Sequence, residues 1–150
     1  MARLRARERS SSWRLQRHVR VIADSHALVW YGHDSSKLSP RAGAVLHDAI
    51  AGDGLVISVV SLVELWYVTQ TTQGVSTEQL AALRQQLDTS STMHVHPIDE
   101  AIADAFTKIS REVMRDPWDR FIVATARVLN LALVTRDGLI QESGLVETIW

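Results

Sequence analysis

The segment Arg115-Asp116-Pro117-Trp118-Asp119-Arg120-Phe121-Ile122-Val123-Ala124-Thr125-Ala126 decides how the rest of the chain is read. Pro117 suits the first position of a helix, where its missing N–H costs nothing, and Asp116 before it is a good N-cap. Asp119 lies three residues past that cap, so both carboxylates share the positive end of the helix. The apolar Ile-Val-Ala-Thr-Ala run buries the helix body and leaves an acidic mouth. A structural reading competes on this segment: Asp116 caps, and Asp119 completes a box-like cap at the third position.

Outward from this helix, strands alternate with helices. Val19-Arg20-Val21-Ile22-Ala23 is a β-rich run that reads as a first buried strand ending at Asp24. Asp24-Ser25-His26 opens a helix through Tyr31. Pro40 starts a second helix, Arg41 to about Ala51, which Gly52-Asp53-Gly54 breaks. Leu55-Val56-Ile57-Ser58 is a second strand. The third helix starts at Ser61, whose spacing to Glu64 matches a capping box, and Gly74 ends it. Ser76 to about Leu87 forms a fourth helix. Met93 to Pro97 is a short strand in which His94 and His96 share one face, and they are assigned no role. A fifth helix begins at Asp99-Glu100, and the organising helix runs from Pro117 to about Asn130. Leu131 to Val134 is a further strand, Asp137-Gly138 reads as a turn, and Val146 to Trp150 closes as a last strand. This alternation predicts an α/β fold: a three-layer α/β/α domain with a mostly parallel sheet of four to five strands.

Composition bounds the function. With 150 residues, 46% of them hydrophobic, the chain is one domain by size with a sizeable core. The absence of cysteine excludes disulfides, zinc–thiolate sites and a cysteine nucleophile. No apolar run approaches the roughly 20 residues of a membrane span, so the expectation is a cytoplasmic protein with no membrane partner. The net charge of −1 conceals an asymmetry. Residues 1–20 hold seven Arg against Glu8 alone, and the remainder holds nine basic and sixteen acidic groups. An acidic body suits a polyanionic partner only if metal ions neutralise part of its charge.

Asp24, Glu64, the Asp116/Asp119 pair and Asp137 each follow a strand or begin a helix, so the fold gathers them at one edge of the sheet. Each has a bland role as cap or turn, but their convergence favours a shared site. Carboxylates held close repel one another unless a cation or protons compensate. Hard divalent ions take such oxygen ligands. Two ions about 3.5–4 Å apart activate water and stabilise the leaving oxygen of a phosphodiester.

At these residues the chain resembles a known family. Val-Ile-Ala-Asp-Ser-His-Ala-Leu-Val-Trp (21–30), Leu-Ser-Pro-Arg-Ala (38–42), Ile-Ser-Val-Val-Ser-Leu-Val-Glu-Leu (57–65), the segment 115–126 and Leu-Val-Thr-Arg-Asp (133–137) look like PIN-domain ribonucleases. The likeness is closest to the VapC toxins of bacterial type II toxin–antitoxin systems. It spans residues 19–150 and ends on the typical Ile-Trp. The resemblance implies that Asp24, Glu64, Asp119 and Asp137 are catalytic and hold Mg²⁺ or Mn²⁺, with Asp116, Thr135 and Ser25 supporting. It further implies cleavage of RNA by metal-activated water, a homodimer, and a cognate VapB-like antitoxin.

Arg120 and Arg136 flank the acids and are candidates to steer RNA. Trp30, Trp66 and Tyr67 are candidates to face a partner helix. The basic stretch 1–18 departs from the family pattern and reads as a disordered tail, with 19–150 as the PIN domain. With no Met between Met1 and Met93, initiation is expected at a GTG codon for Val19. Three other readings compete. One is a housekeeping PIN-domain nuclease that processes RNA, and another is a catalytically inactive module binding RNA or a partner. The third is a phosphoacceptor signalling domain, which needs a Lys after a late strand where this chain has Thr135-Arg136.

Overall fold

The computed structural model describes residues 20–71 and 74–150. The tail 1–18, the boundary at 19 and the expected start at Val19 lie outside these residues. Among those described, five strands form one sheet: β1 (Val21–Ala23), β2 (Leu55–Ser58), β3 (Met93–His96), β4 (Ala132–Val134) and β5 (Thr148–Ile149). Their order is β3-β2-β1-β4-β5, and every pairing is parallel. Seven α-helices accompany them: α1 (Ser25–His33), α2 (Pro40–Asp48), α3 (Val59–Thr69), α4 (Thr77–Thr89), α5 (Glu100–Thr107), α6 (Pro117–Leu129) and α7 (Gly138–Ser143).

The three inner strands β2, β1 and β4 are nearly all apolar because both faces of the sheet are covered there. Successive side chains point to opposite faces. Val21 and Ala23, with Leu55 and Ile57, enter one core with Leu28 of α1, Leu46 of α2 and Leu87 of α4. Ile22, Val56 and Leu133 enter the other with Ile102 of α5, Ile122 and Val123 of α6, and Ile140 of α7. Two separate cores on the two faces make the expected three layers.

The chain leaves β1 toward β2 and β3 on one side, then returns to build β4 and β5 on the other. The carboxyl ends of β1 and β4 therefore flank a topological switch point, where open α/β sheets leave a crevice. The backbone N–H of Asp24 donates to Val134 O at 3.1 Å and ties the two ends together.

Several local expectations are corrected. Helix α3 starts at Val59, two residues before Ser61, because the Ser58 hydroxyl caps it by accepting from Val60 N at 3.3 Å. Ser61 is buried with an unpartnered hydroxyl, so the Ser61/Glu64 capping box does not form. A true capping box occurs at Ser76/Gln79 on α4. Asp137 caps α7, accepting from Ile140 N at 2.9 Å, so Asp-Gly here opens a helix rather than a turn. The second helix ends at Asp48 and gives way to a wider π-type turn, Ala49–Asp53. That turn closes on Gly54, whose φ of 104° suits glycine.

Candidate active site

Asp24, Glu64, Asp116, Asp119 and Asp137 line a single cleft of about 630 Å³ at the carboxyl ends of β1 and β4. Each arrives by a simple local device. Asp24 leaves β1 and caps α1, accepting from Ala27 N at 2.8 Å. Glu64 sits in the second turn of α3. Asp116 is the N-cap of α6, accepting from Trp118 N at 2.8 Å, and Asp119 follows in the first turn. Asp137 caps α7.

Capping explains Asp24, Asp116 and Asp137 in part, but it does not explain Glu64 or Asp119. The carboxylate of Asp119 accepts no hydrogen bond from the described residues, so the box-like cap expected of it is absent.

Thr135 is fully buried and joins two of the acids. Its hydroxyl donates to Asp24 Oδ2 and accepts from Asp137 N at 3.1 Å. Ser25 is buried too, and its hydroxyl faces Glu64, favouring the charged form, yet it completes no hydrogen bond. The structure thus brings together all four expected catalytic acids with Asp116, Thr135 and Ser25.

The two arginines separate. Arg136 lines the cleft, its guanidinium 5.8 Å from the centre of the Trp30 ring. Arg120 turns away: its guanidinium stacks 4.1 Å over Phe106, and its Nε is buried without a partner. An RNA-steering role for Arg120 has no support in this placement. Trp30, expected to face a partner helix, lines the cleft as well, and two cleft residues, His26 and Trp118, carry no functional assignment from the sequence. Their positions next to acids at helix starts were a usable signal, since such residues share the helix mouth. A separate apolar cavity of about 350 Å³, lined by Leu28, Leu65, Leu83 and Met93 among others, contains none of these acids.

The electrostatics register the crowding. Burial pushes the Asp24 carboxyl above its ordinary value, against the opposing hydrogen bond from Thr135. Burial likewise raises Glu64. Asp119 rises from 3.8 to about 7, through burial first and then the charges of Asp116, Asp137, Glu64 and Asp24. Excess negative charge of this kind calls for a cation.

The donors are carboxylates and hydroxyls, which fit a hard divalent ion such as Mg²⁺ or Mn²⁺. Among the described residues, no three side chains already form a closed metal-binding cluster. The donors share the cleft without a preassembled cage, as mutual repulsion dictates.

The sequence profile of the PIN domain matches residues 21–142. No match to a curated protein was found. Among solved structures, the chain is similar to that of VapBC2 from Rickettsia felis bound to a DNA fragment from its promoter. That similarity has a TM-score of 0.65 and 15% identity, covering 87% of this chain and 97% of that one. It is similar to FitAcB from Neisseria gonorrhoeae, with a TM-score of 0.61 and 20% identity over 85% and 95% of the two chains. It also resembles a toxin–antitoxin complex from Klebsiella pneumoniae, with a TM-score of 0.55 and 23% identity over 78% and 86%. No helix among the described residues is long and apolar enough to cross a membrane.

Proposed function

The chain belongs to the PIN-domain family, a family of nucleases, and from that premise we propose that it is the toxin of a type II toxin–antitoxin pair. Its activity is that of a Mg²⁺- or Mn²⁺-dependent endoribonuclease. In this reading the PIN domain extends over residues 19–150, and the Arg-rich stretch 1–18 is left outside it. The partners are RNA, a second copy of the chain and a VapB-like antitoxin. The toxin reading draws support from the structural likeness to the toxin–antitoxin complex from Klebsiella pneumoniae.

The observation that carries the nuclease reading is the convergence of Asp24, Glu64, Asp119 and Asp137 in one cleft, with Asp119 held near neutrality. These four carboxylates would hold one or two divalent ions. The ions, when bound, supply activation of water and stabilisation of the leaving oxygen.

The protein supplies position. The Thr135 hydroxyl fixes the orientation of Asp24 while its acceptor side fixes the start of α7, so two donors from distant strands keep a constant relation. Asp116 adds negative charge at the cleft rim and, through Trp118 N, anchors the helix that carries Asp119. Arg136 places a permanent positive charge where a phosphate enters.

The test is induced expression of wild type and Asp24→Asn, reading growth and cleavage of RNA by purified protein with Mg²⁺ or Mn²⁺. Asparagine retains an oxygen to cap α1 and removes the charge that holds an ion. Growth arrest and metal-dependent cleavage are expected for wild type and lost in the variant, with unchanged circular dichroism. Wild-type protein that cleaves no RNA with either metal would sink the nuclease reading.

A further inference from the structure

The cleft that gathers the acids is also walled by large aromatic rings. Trp118 occupies the second position of α6 and Trp30 lies on α1, and both line this cleft. Trp118 is only half-buried and belongs to neither hydrophobic core. So large a ring, set at a helix start and outside both cores, is not there to hold the fold together.

The rings meet their neighbours at an angle. Trp118 contacts Tyr67 at 6.0 Å with 50° between planes. Trp30 contacts His26 at 5.7 Å and 47°, and Trp150 at 5.9 Å and 66°. By contrast, Phe106 and Phe121 stack at 4.2 Å and 26°. Trp30 packs against the first core and carries the Arg136 guanidinium over its ring, whereas Trp118 has no parallel aromatic partner over its planar face among the described residues. Tyr67 and Trp66, 55% and 50% exposed, continue the aromatic surface outward along α3.

An RNA strand entering this cleft meets five carboxylates. Among the described lining residues Arg136 is the one fixed positive charge, and it sits beside Trp30. Beyond bound cations, affinity for a polyanion must therefore come from contacts that carry no charge. Stacking of a base on an aromatic ring is such a contact, and any base provides it.

We propose that Trp118 forms a base-stacking subsite that grips a nucleotide beside the scissile phosphate, with Arg136, held over the Trp30 ring, on the neighbouring phosphate. The subsite rests on the nuclease reading and adds to it a contact: a base free to stack on Trp118 beside the point of cleavage. Paired bases have both faces covered by their own stack and cannot use it.

The test compares wild type, Trp118→Leu and Trp118→Phe on an unstructured RNA oligonucleotide. The same oligonucleotide is also prepared with an abasic position beside the mapped cleavage point, and as a duplex. Trp118 lies outside both cores, so the leucine variant retains the fold. Trp118→Leu is expected to raise KM roughly 5- to 150-fold while kcat changes little. The abasic substrate should raise the wild-type KM similarly, and the two changes together should do no more than either alone. Trp118→Phe should keep most of the affinity, and the duplex should be a poor substrate for every form.

An unchanged KM for Trp118→Leu, or effects that multiply, would overturn the subsite and leave the nuclease reading standing. A shift in sedimentation by Trp118→Leu with unchanged KM would also overturn it, in favour of a contact between two copies of this chain. If wild type cleaves no RNA with Mg²⁺ or Mn²⁺, the nuclease reading fails and the subsite with it.

Discussion

Replacing Asp119 by Asn should make the metal-free protein more stable while removing its activity. The carboxyl of Asp119 rises from 3.8 to about 7 on folding. An acid whose folded value lies above its unfolded value holds its proton longer in the native state. Its ionisation therefore opposes folding, not at all below 3.8, increasingly between 3.8 and 7, and fully above 7. At ~1.4 kcal/mol per pH unit the rise sets an upper bound of about 4 kcal/mol. Asp119 is partly solvent-exposed, and screening by water reduces this to about 1–2 kcal/mol.

For a domain of this size such a gain raises the melting temperature by roughly 2–8 °C. Thermal melts of wild type and Asp119→Asn in EDTA at pH 8, 6 and 4 would measure it. The gap should be widest at pH 8, narrow through pH 6 and close by pH 4. Excess Mg²⁺ or Mn²⁺ should then raise the melting temperature of wild type at pH 8 and do little for the variant. An Asp119→Asn protein no more stable than wild type at pH 8, or stabilised equally at every pH, refutes the argument that crowded charge is stored at this position.

Other expectations follow from the same geometry. Metal titrations by calorimetry should show Mn²⁺ affinity falling as pH drops below about 7, because protons then compete with the ion for Asp119. Thr135→Val keeps the shape but removes the buried hydroxyl between Asp24 and Asp137. It should destabilise by about 2 kcal/mol in urea unfolding at pH 8 and raise the Asp24 carboxyl further, weakening metal binding. Ser58→Ala should cost about 1 kcal/mol through the lost cap of α3. Ser61→Ala, which removes an unpartnered hydroxyl, should be neutral within about 0.5 kcal/mol; a larger loss at Ser61 than at Ser58 would restore the rejected capping box. Ile22→Ala, at a fully buried position of β1, should cost about 3–4 kcal/mol by the same unfolding measurement.

The layered fold and the meeting of the acids were legible in the sequence because both depend on periodicity and element order. Once strands and helices alternate, residues that follow strands must lie at one edge. What the sequence concealed is decided by short-range competition. Val59 and Val60, being β-branched, carry a weak preference against helix, and the Ser61/Glu64 spacing imitates a capping box, so the expected start falls at Ser61. Burial on α3 overrides that preference, and the Ser58 hydroxyl supplies the cap. The six residues of α7 are too few to display a helical period, so Asp137-Gly138 looked like a turn. The destinations of Arg120 and Trp118 were hidden for another reason. Their direction at a helix mouth is set by partners from elsewhere in the chain: Phe106 for the first and Tyr67 for the second.

The hydrogen bond between Asp24 and Thr135 spans 111 residues of sequence. A chain that emerges in order displays Asp24 and Glu64 early, at the start of α1 and on α3. Neither can meet Asp137 until β4 has been made and has docked beside β1. Nucleating β1 with β2 is local by comparison, whereas closing β4 onto β1 is the long-range event whose entropy slows folding. An unfinished or half-folded chain therefore carries the acids without the cleft. The cell does not meet the assembled site until β4 has been made.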